Sequence, residues 1–229
     1  MAQKKIRRKE LLKKQDEFMT LSEKAALFVR EHGRVFKGGV TVLVAALLIY
    51  LGVTSYTRYI DKKGQTAYDK AYQEVVNSVT QTPEKRDLKK AEGLFEDVIK
   101  DYGSSKISLL ARPQLAYLQF QEKKYDEALS LYQAFLKEKP PAEYRDMARL
   151  AIAACYEAKG DYAKAIETLQ EVTSMPSSLF REEAMFSLAR VYRLANQNEK
   201  AKETLEKYVE AYQNSPFLPL AKAYLAELS

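Results

Sequence analysis

Four segments with a shared pattern decide the fold of this chain: KKAEGLFEDVI at residues 89–99, YDEALSLYQAFL at 125–136, YAKAIETLQEV at 162–172 and EKAKETLEKYV at 199–209. They align without gaps on Ala91, Ala128, Ala165 and Ala201, so the pattern recurs every 37, 37 and 36 residues. A period of this length indicates a stack of similar helical units.

A second helical stretch with a small residue beside a bulky one precedes each of the last three segments. These pairs are Leu115-Ala116, Ile152-Ala153 and Leu188-Ala189. Small residues let paired helices approach closely, while their bulky neighbours fill the gaps between successive pairs. Each unit is therefore predicted to be two helices joined by a polar turn. The first copy, around Ala91, keeps only its second helix in register, and residues 216–228 are predicted to be one unpaired capping helix.

The pattern resembles the tetratricopeptide repeat (TPR). The residues that match are Gly160, Tyr162 and Ala165 with Ala153 and Tyr156 upstream, Tyr125, Ala128 and Tyr132 followed by Pro140, and Ala189, Tyr192 and Ala201. Arg112, Arg149 and Met185 stand where an aromatic residue usually opens the first helix, and the period is about two or three residues longer than the standard one. The resemblance implies an all-α fold, a TPR-like right-handed solenoid over residues 65–229.

An uncharged run, GGVTVLVAALLIYLGVTSYT, occupies residues 38–57 ahead of the repeats. At helical rise it measures about 30 Å, the thickness of the hydrocarbon core of a bilayer. It predicts one transmembrane helix over 38–59. A cleaved signal peptide is the alternative, but 37 residues precede the run and only a poor Val53-Thr54-Ser55 site follows it, so an uncleaved signal anchor is favoured.

The segment after the run is also predicted to be helical. Ala67, Ala71, Val75 and Val79 recur in steps of four and share one helix face. The helix is predicted to end near Thr82-Pro83, because proline cannot donate the next backbone hydrogen bond. A turn is predicted over 84–87.

The basic excess lies entirely before the apolar run. Residues 1–37 carry eleven Lys/Arg and five Asp/Glu, whereas the rest of the chain carries 26 of each sign. Nucleic acid is therefore not a predicted partner. The tail, 1–37, is predicted to be cytoplasmic, with an amphipathic helix opened by Thr20-Leu21-Ser22-Glu23, and the repeats periplasmic. Close to the run the signal is a tie, with four basic residues in the fifteen on either side.

Enzymatic chemistry is not predicted. The chain has one histidine, His32, and one cysteine, Cys155, which exclude a His/Cys metal cluster and a disulfide framework within one chain. No histidine follows the apolar run to activate Cys155 as a nucleophile. No catalytic residue, cofactor, metal or small-molecule substrate is predicted.

A protein-binding groove is predicted along the first helix of each unit. The inward positions are Leu110, Tyr117, Phe120, Met147, Leu150, Phe186, Arg190 and Arg193. Apolar surface beside arginines suits peptides of acidic or exposed hydrophobic character. The alternative is that several of these residues pack in the core. The carboxylate clamp of some TPR proteins needs lysine and asparagine at positions that here hold Pro113, Tyr117, Leu150 and Ala154.

The layout of basic tail, signal anchor and short TPR stack resembles the YfgM-type ancillary subunits of the bacterial SecYEG translocon. The resemblance implies a non-enzymatic inner-membrane protein whose partners are the translocon, a periplasmic chaperone or unfolded secretory clients. A structural scaffold or a regulator that joins membrane protein complexes is the alternative.

Overall fold

The computed structural model describes residues 23–80 and 88–228, apart from the side chain of Val79. Residues 23–31 are helical, and nine further helices follow: α1 Gly33–Val79, α2 Lys89–Asp101, α3 Lys106–Gln121, α4 Tyr125–Lys137, α5 Ala142–Ala158, α6 Tyr162–Thr173, α7 Arg181–Leu194, α8 Asn198–Ala211 and α9 Leu218–Glu227. No strand occurs in this part of the chain. The all-α prediction is confirmed. The predicted cap at Thr20-Leu21-Ser22, the stop at Thr82-Pro83 and the turn at 84–87 lie outside the described residues.

The described chain divides into two compact units between Tyr56 and Thr57. In the first unit, the side chains of the apolar run do not pack into a core: Leu43 is 71% exposed and Ile49 68%. The most apolar part of α1 has a mean hydropathy of 2.0, and by length and composition α1 could cross a membrane. Thr41 and Thr54 donate their hydroxyl protons to the carbonyls of Lys37 and Tyr50 at 2.9 Å, so both hydroxyls are satisfied within the helix.

The second unit begins with the C-terminal part of α1. This part supplies the first helix that the first copy of the repeat lacks in the sequence pattern. Ala71 is fully buried in a cluster with Phe95, Val98, Ala111, Leu115 and Leu118. The ring of Tyr68 meets Phe95 edge-on at 5.5 Å, and Glu74 pairs with Lys90 at 2.8 Å. The end of α1 therefore acts as the first helix of the first pair.

The repeated alanines lie where the helices of each pair approach. Ala91, Ala128, Ala165 and Ala201 lie near the starts of α2, α4, α6 and α8, and all four are fully buried. Their counterparts on the first helices, Ala116, Ala153 and Ala189, are at most 2% exposed. The repeat pattern thus corresponds to a stack of helix pairs.

The turns inside the pairs share one geometry. Lys123, Gly160 and Asn196 have φ of 63°, 76° and 57°, in the left-handed region. The next residue in each turn donates its backbone N–H to a carbonyl five residues earlier: Lys124 to Gln119, Asp161 to Tyr156 and Gln197 to Tyr192, at 2.8 to 2.9 Å. These are helix C-terminal Schellman motifs, in which glycine and asparagine are favoured and lysine carries a steric cost.

Successive pairs are joined by apolar cores and by a repeated hydrogen bond. Gln133 on α4 donates to the Tyr156 hydroxyl at 3.4 Å, and Gln170 on α6 donates to the Tyr192 hydroxyl at 2.8 Å. Cys155 is fully buried in one of these cores, and burial raises the pKa of its thiol to about 11. At the end of the stack, α9 packs through the buried Ala221 against a cluster with Leu205 and Tyr208.

Candidate protein-binding groove

An open apolar pocket of about 470 Å³ lies along the first helices of the pairs. Helix α3 contributes Pro113, Gln114 and Tyr117, and α5 contributes Met147, Leu150, Ala151 and Ala154. Tyr132, Phe180 and Glu183 complete the lining. Spacings of three and four residues put these side chains on one face of each helix, so the pocket is a groove between the inner faces of α3 and α5 that continues to the start of α7.

Two of the side chains that line this groove are well exposed. Tyr117 is 50% exposed and Met147 is 36% exposed. Tyr132 forms the floor, since it is 5% exposed and belongs to the core between α4 and α5. Burial raises the pKa of the Tyr132 hydroxyl well above its usual range, so that group stays protonated. The groove can offer apolar contact and a phenol hydroxyl at Tyr117.

Glu183 is the one charged residue among the ten that line the groove. The four positions at which a carboxylate clamp would need lysine or asparagine, Pro113, Tyr117, Leu150 and Ala154, all line it. This surface is therefore apolar with an acidic edge, and it differs from the expected mixture of apolar residues with arginines.

Three of the eight predicted positions, Tyr117, Met147 and Leu150, come together in this groove. Phe186 instead lies in the core at the end of the stack: it is 9% exposed, and its ring is 5.6 Å from Tyr208, 5.2 Å from Phe217 and 6.0 Å from Tyr224. Helices α8 and α9 pack against α7 and cover Phe186. The spacing of apolar residues along α7 does not predict this burial.

Phe120 and Leu110 are half-buried on α3. The Phe120 ring is 5.4 Å from Tyr125 across the turn to α4, and it packs against the core of α4 and α5. Leu110 is not among the residues that line the groove. Helical spacing alone would have added Gln114, Ala151 and Ala154, which follow Leu110 and Met147 in steps of four and seven.

Arg190 and Arg193 line a different pocket, of about 500 Å³, with Glu157, Tyr224, Glu227 and Leu228 among its lining residues. Arg190 donates to Glu157 at 2.9 Å, and Arg193 stacks 3.8 Å above the Tyr224 ring while pairing with Glu227. Burial raises the pKa of Glu157, and the Arg190 charge opposes that rise. Two carboxylates already balance the two arginines, so this pocket offers no free positive charge to an acidic peptide.

No group of His, Cys, Asp and Glu side chains suited to a metal ion occurs among the residues that the structure describes. Cys155, the one thiol, lies in a core.

Comparison with known protein families finds two matches along the chain. The family described as tetratricopeptide repeat-like domain matches residues 28–182, and the family described as tetratricopeptide repeat matches residues 183–215. The first match begins ahead of the apolar run and covers it together with the first repeats. None of the curated protein sequences compared with the chain matches it.

Solved structures with TPR architecture are similar to this fold. The TPR-like repeats of a kinesin light chain from Podosopora anserina match at 20% identity with a TM-score of 0.56, over 72% of this chain and 84% of that one. A tetratricopeptide repeat protein from Parabacteroides merdae matches at 18% identity with a TM-score of 0.56, over 71% of this chain and 60% of that one. At these identities the likeness extends to the fold alone.

Proposed function

The chain belongs to the tetratricopeptide repeat-like domain family, and from that premise we propose that it is a membrane-anchored, non-enzymatic protein that binds other proteins in the bacterial cell envelope. The proposed location is the inner membrane, with the N-terminus cytoplasmic and the repeats periplasmic. The proposed role is accessory to Sec translocation: the repeats hold unfolded secretory clients or recruit a periplasmic chaperone beside the channel.

The groove between α3 and α5 carries the binding part of this proposal. Tyr117 and Met147 leave apolar surface open to solvent in a concave site, and covering such surface is favourable by about 25 cal/mol for each Å². An aromatic side chain at the centre of a concave patch is a frequent source of binding energy in interfaces. Exposed hydrophobic segments of an unfolded chain suit this groove better than acidic peptides, since its charged residue is Glu183.

The apolar run carries the anchoring part. Its side chains are exposed along about 30 Å of helix, an arrangement that is costly in water and favourable in lipid. The family match spans the run and the repeats together, which supports treating the anchor as part of the family's architecture.

Site-specific photo-crosslinking in cells tests the binding role. A photoreactive amino acid in place of Tyr117, Met147 or Leu150 is expected to capture proteins through the groove. The same amino acid in place of Ala163 or Glu167, two exposed positions on α6, is the matched control. Mass spectrometry then identifies the captured proteins.

The identity of the captured proteins separates the candidate roles. A spread of secretory proteins captured at the groove and not at α6 supports the translocation role. One stoichiometric partner supports the scaffold or regulator alternative. Equal capture at the groove and at α6 contradicts binding through this groove.

Protease accessibility tests the orientation. In intact spheroplasts, added protease is expected to remove the repeats while residues before the apolar run stay protected, because eleven basic residues precede it. Protection of the repeats until the membrane is lysed would reverse the orientation.

A further inference from the structure

Within the second unit, the start of α3 is held against α1 at Asp61 and Gly64. A Cβ atom on Gly64 would lie 2.8 Å from Ser105 Oγ and 2.9 Å from Ile107 Cγ2, so the close approach requires glycine. The Asp61 carboxylate accepts the backbone N–H of Lys106 at 3.0 Å. Two contacts therefore bind the loop before α3 to the same two turns of α1.

These contacts occur a few residues after Thr57, the last residue of the uncharged run. At 1.5 Å per residue, Gly64 lies about 10 Å further along the helix than Thr57. The headgroup layer extends about 5 to 8 Å beyond the hydrocarbon core. Residues 58–63 therefore fall in or just outside the headgroups, and Gly64, with the loop held against it, lies just outside them.

This end of the second unit carries an excess of positive charge. Residues 57–64 and 100–106 contain five basic and two acidic residues, which leaves 21 basic and 24 acidic among the other residues from 38 to 229. We name as the basic patch the exposed side chains of Arg58, Lys62, Lys63, Lys100 and Lys106. None of the five forms an ion pair with another residue that the structure describes.

Three carboxylates lie in or beside the patch, at Asp61, Asp101 and, one helical turn before Lys100, Asp97, and they leave an excess of two basic residues. Asp61 is engaged by the backbone of Lys106, and Asp101 ends α2 as an exposed residue. Lys63 Nζ lies 5.8 Å from the centre of the Tyr59 ring, and Tyr59 is itself 59% exposed. Tyrosine beside lysine just past an apolar run is typical of the membrane–water interface.

We propose that the basic patch binds the anionic headgroups of phospholipids and so holds the first helix pair of the repeats against the membrane surface. The inference rests on the proposed anchoring. It adds to the anchoring proposal the class of lipid that the protein binds. It also adds a second point of contact with the membrane, supplied by Lys100 and Lys106 of the folded repeats. Each basic residue near an anionic surface favours binding about fivefold.

Energy transfer in proteoliposomes tests the proposal with the full chain. A donor fluorophore is attached through S104C, an exposed position in the loop before α3. Cys155 does not compete for the label, because it is fully buried and the pKa of its thiol is raised to about 11. The acceptor is a headgroup-labelled phosphatidylglycerol in one set of vesicles and a headgroup-labelled phosphatidylcholine in the other, at equal density.

Transfer to the anionic acceptor is expected to exceed transfer to the zwitterionic one. The preference is expected to disappear at about 1 M salt, where the screening length is about 3 Å. It is expected to fall by at least half in the triple variant K62Q/K63Q/K106Q and to persist in K62R/K63R/K106R. The control K137Q/K202Q/K222Q removes the same charge elsewhere in the stack and is expected to leave the preference unchanged.

Equal transfer to both acceptors in the unmodified chain overturns the proposal while leaving the anchoring intact. An equal loss in the control variant also overturns it, because net charge would then account for the preference. Release of the chain from vesicles by alkaline carbonate overturns the anchoring and this inference together.

Discussion

At the scale of single residues, the alanine that recurs in every unit limits how closely two helices approach. Ala165 is fully buried on α6, in a cluster that includes Ala153, Val191 and Tyr192. Ala163, two residues earlier on the same helix, is exposed. Alanine therefore recurs with the period of the repeat because one position of each unit requires a small side chain.

Enlarging this alanine is expected to destabilise the protein. Ala165→Leu adds three carbon atoms to a filled core and is expected to cost about 1 to 3 kcal/mol of unfolding free energy. Ala163→Leu makes the same change on the solvent side of α6 and is expected to have little effect. Urea denaturation of both variants in detergent checks the difference, and equal midpoints would contradict the assigned packing of Ala165.

Two aromatic residues predicted from the same pattern have different surroundings in the fold. Phe186→Ala is expected to cost about 3 to 5 kcal/mol, because the ring is 9% exposed and contacts three other aromatic rings. Tyr117→Ala removes a ring that is 50% exposed and is expected to cost much less. Thermal unfolding of the two single variants compares them directly.

If Tyr117 lines the groove and Phe186 does not, the two substitutions are expected to affect binding in the opposite order to their effects on stability. Tyr117→Ala is expected to reduce crosslinking from the Leu150 position, whereas the folded fraction of Phe186→Ala is expected to crosslink normally. A Tyr117→Ala variant that unfolds easily, with normal crosslinking from its folded fraction, would show that Tyr117 is structural.

At the scale of helices, the contact between α1 and the start of α3 depends on a glycine. Gly64→Ala places a methyl group 2.8 Å from Ser105 Oγ and 2.9 Å from Ile107 Cγ2, which forces the two segments apart. Gly93→Ala, on α2, meets no atom within 4 Å. It is expected to stabilise the protein by about 0.5 to 1 kcal/mol through helix propensity.

The two glycine variants are therefore expected to shift stability in opposite directions. Chemical denaturation gives the signs, and cleavage by a low concentration of protease near Ser104 reports whether the loop has separated from α1. Stabilisation by Gly64→Ala comparable to that by Gly93→Ala would contradict close packing at Gly64.

At the scale of the whole molecule, each helix pair of the second unit packs mainly on its neighbours. The buried clusters succeed one another along the stack, from the cluster of Ala71 and Phe95 to that of Phe186 and Tyr208. In such an array stability is close to a sum of local terms, and a defect spreads only to adjacent units.

Amide hydrogen exchange is expected to reveal this locality. Phe186→Ala is expected to accelerate exchange in α7 to α9 and to leave α2 and α3 unchanged, because the two regions share no cluster. Phe95→Ala, at the opposite end and fully buried, is the matched control and is expected to show the reverse pattern. Uniform acceleration along the stack in both variants would indicate global cooperativity instead.

The period of the repeat, the register of its second helices and the presence of an apolar segment all follow from the order of residues along the chain. The signals are local: they are the repeated alanines, turn residues such as Gly160 and a run of twenty uncharged residues. Each is recognised from the steric size, the backbone conformation or the hydropathy of residues that are close together in the sequence. The sequence also predicts Tyr117, Met147 and Leu150 as groove residues, because helical spacing alone places them on the inner face.

The tertiary structure decided which helix completes the first pair and which inward residues stay open. Ala71 and Ala91 are separated by twenty residues, whereas Ala116 and Ala128 are separated by twelve, so the role of α1 in the first pair is not visible as a repeat. Phe186 and the arginines belong to the inner face by spacing. However, α8 and α9 bring aromatic rings onto Phe186, and Glu157 on α5 and Glu227 on α9 pair with Arg190 and Arg193. The burial of a side chain depends on which helices from distant parts of the chain pack against it. The periodic pattern within a single helix therefore does not predict it.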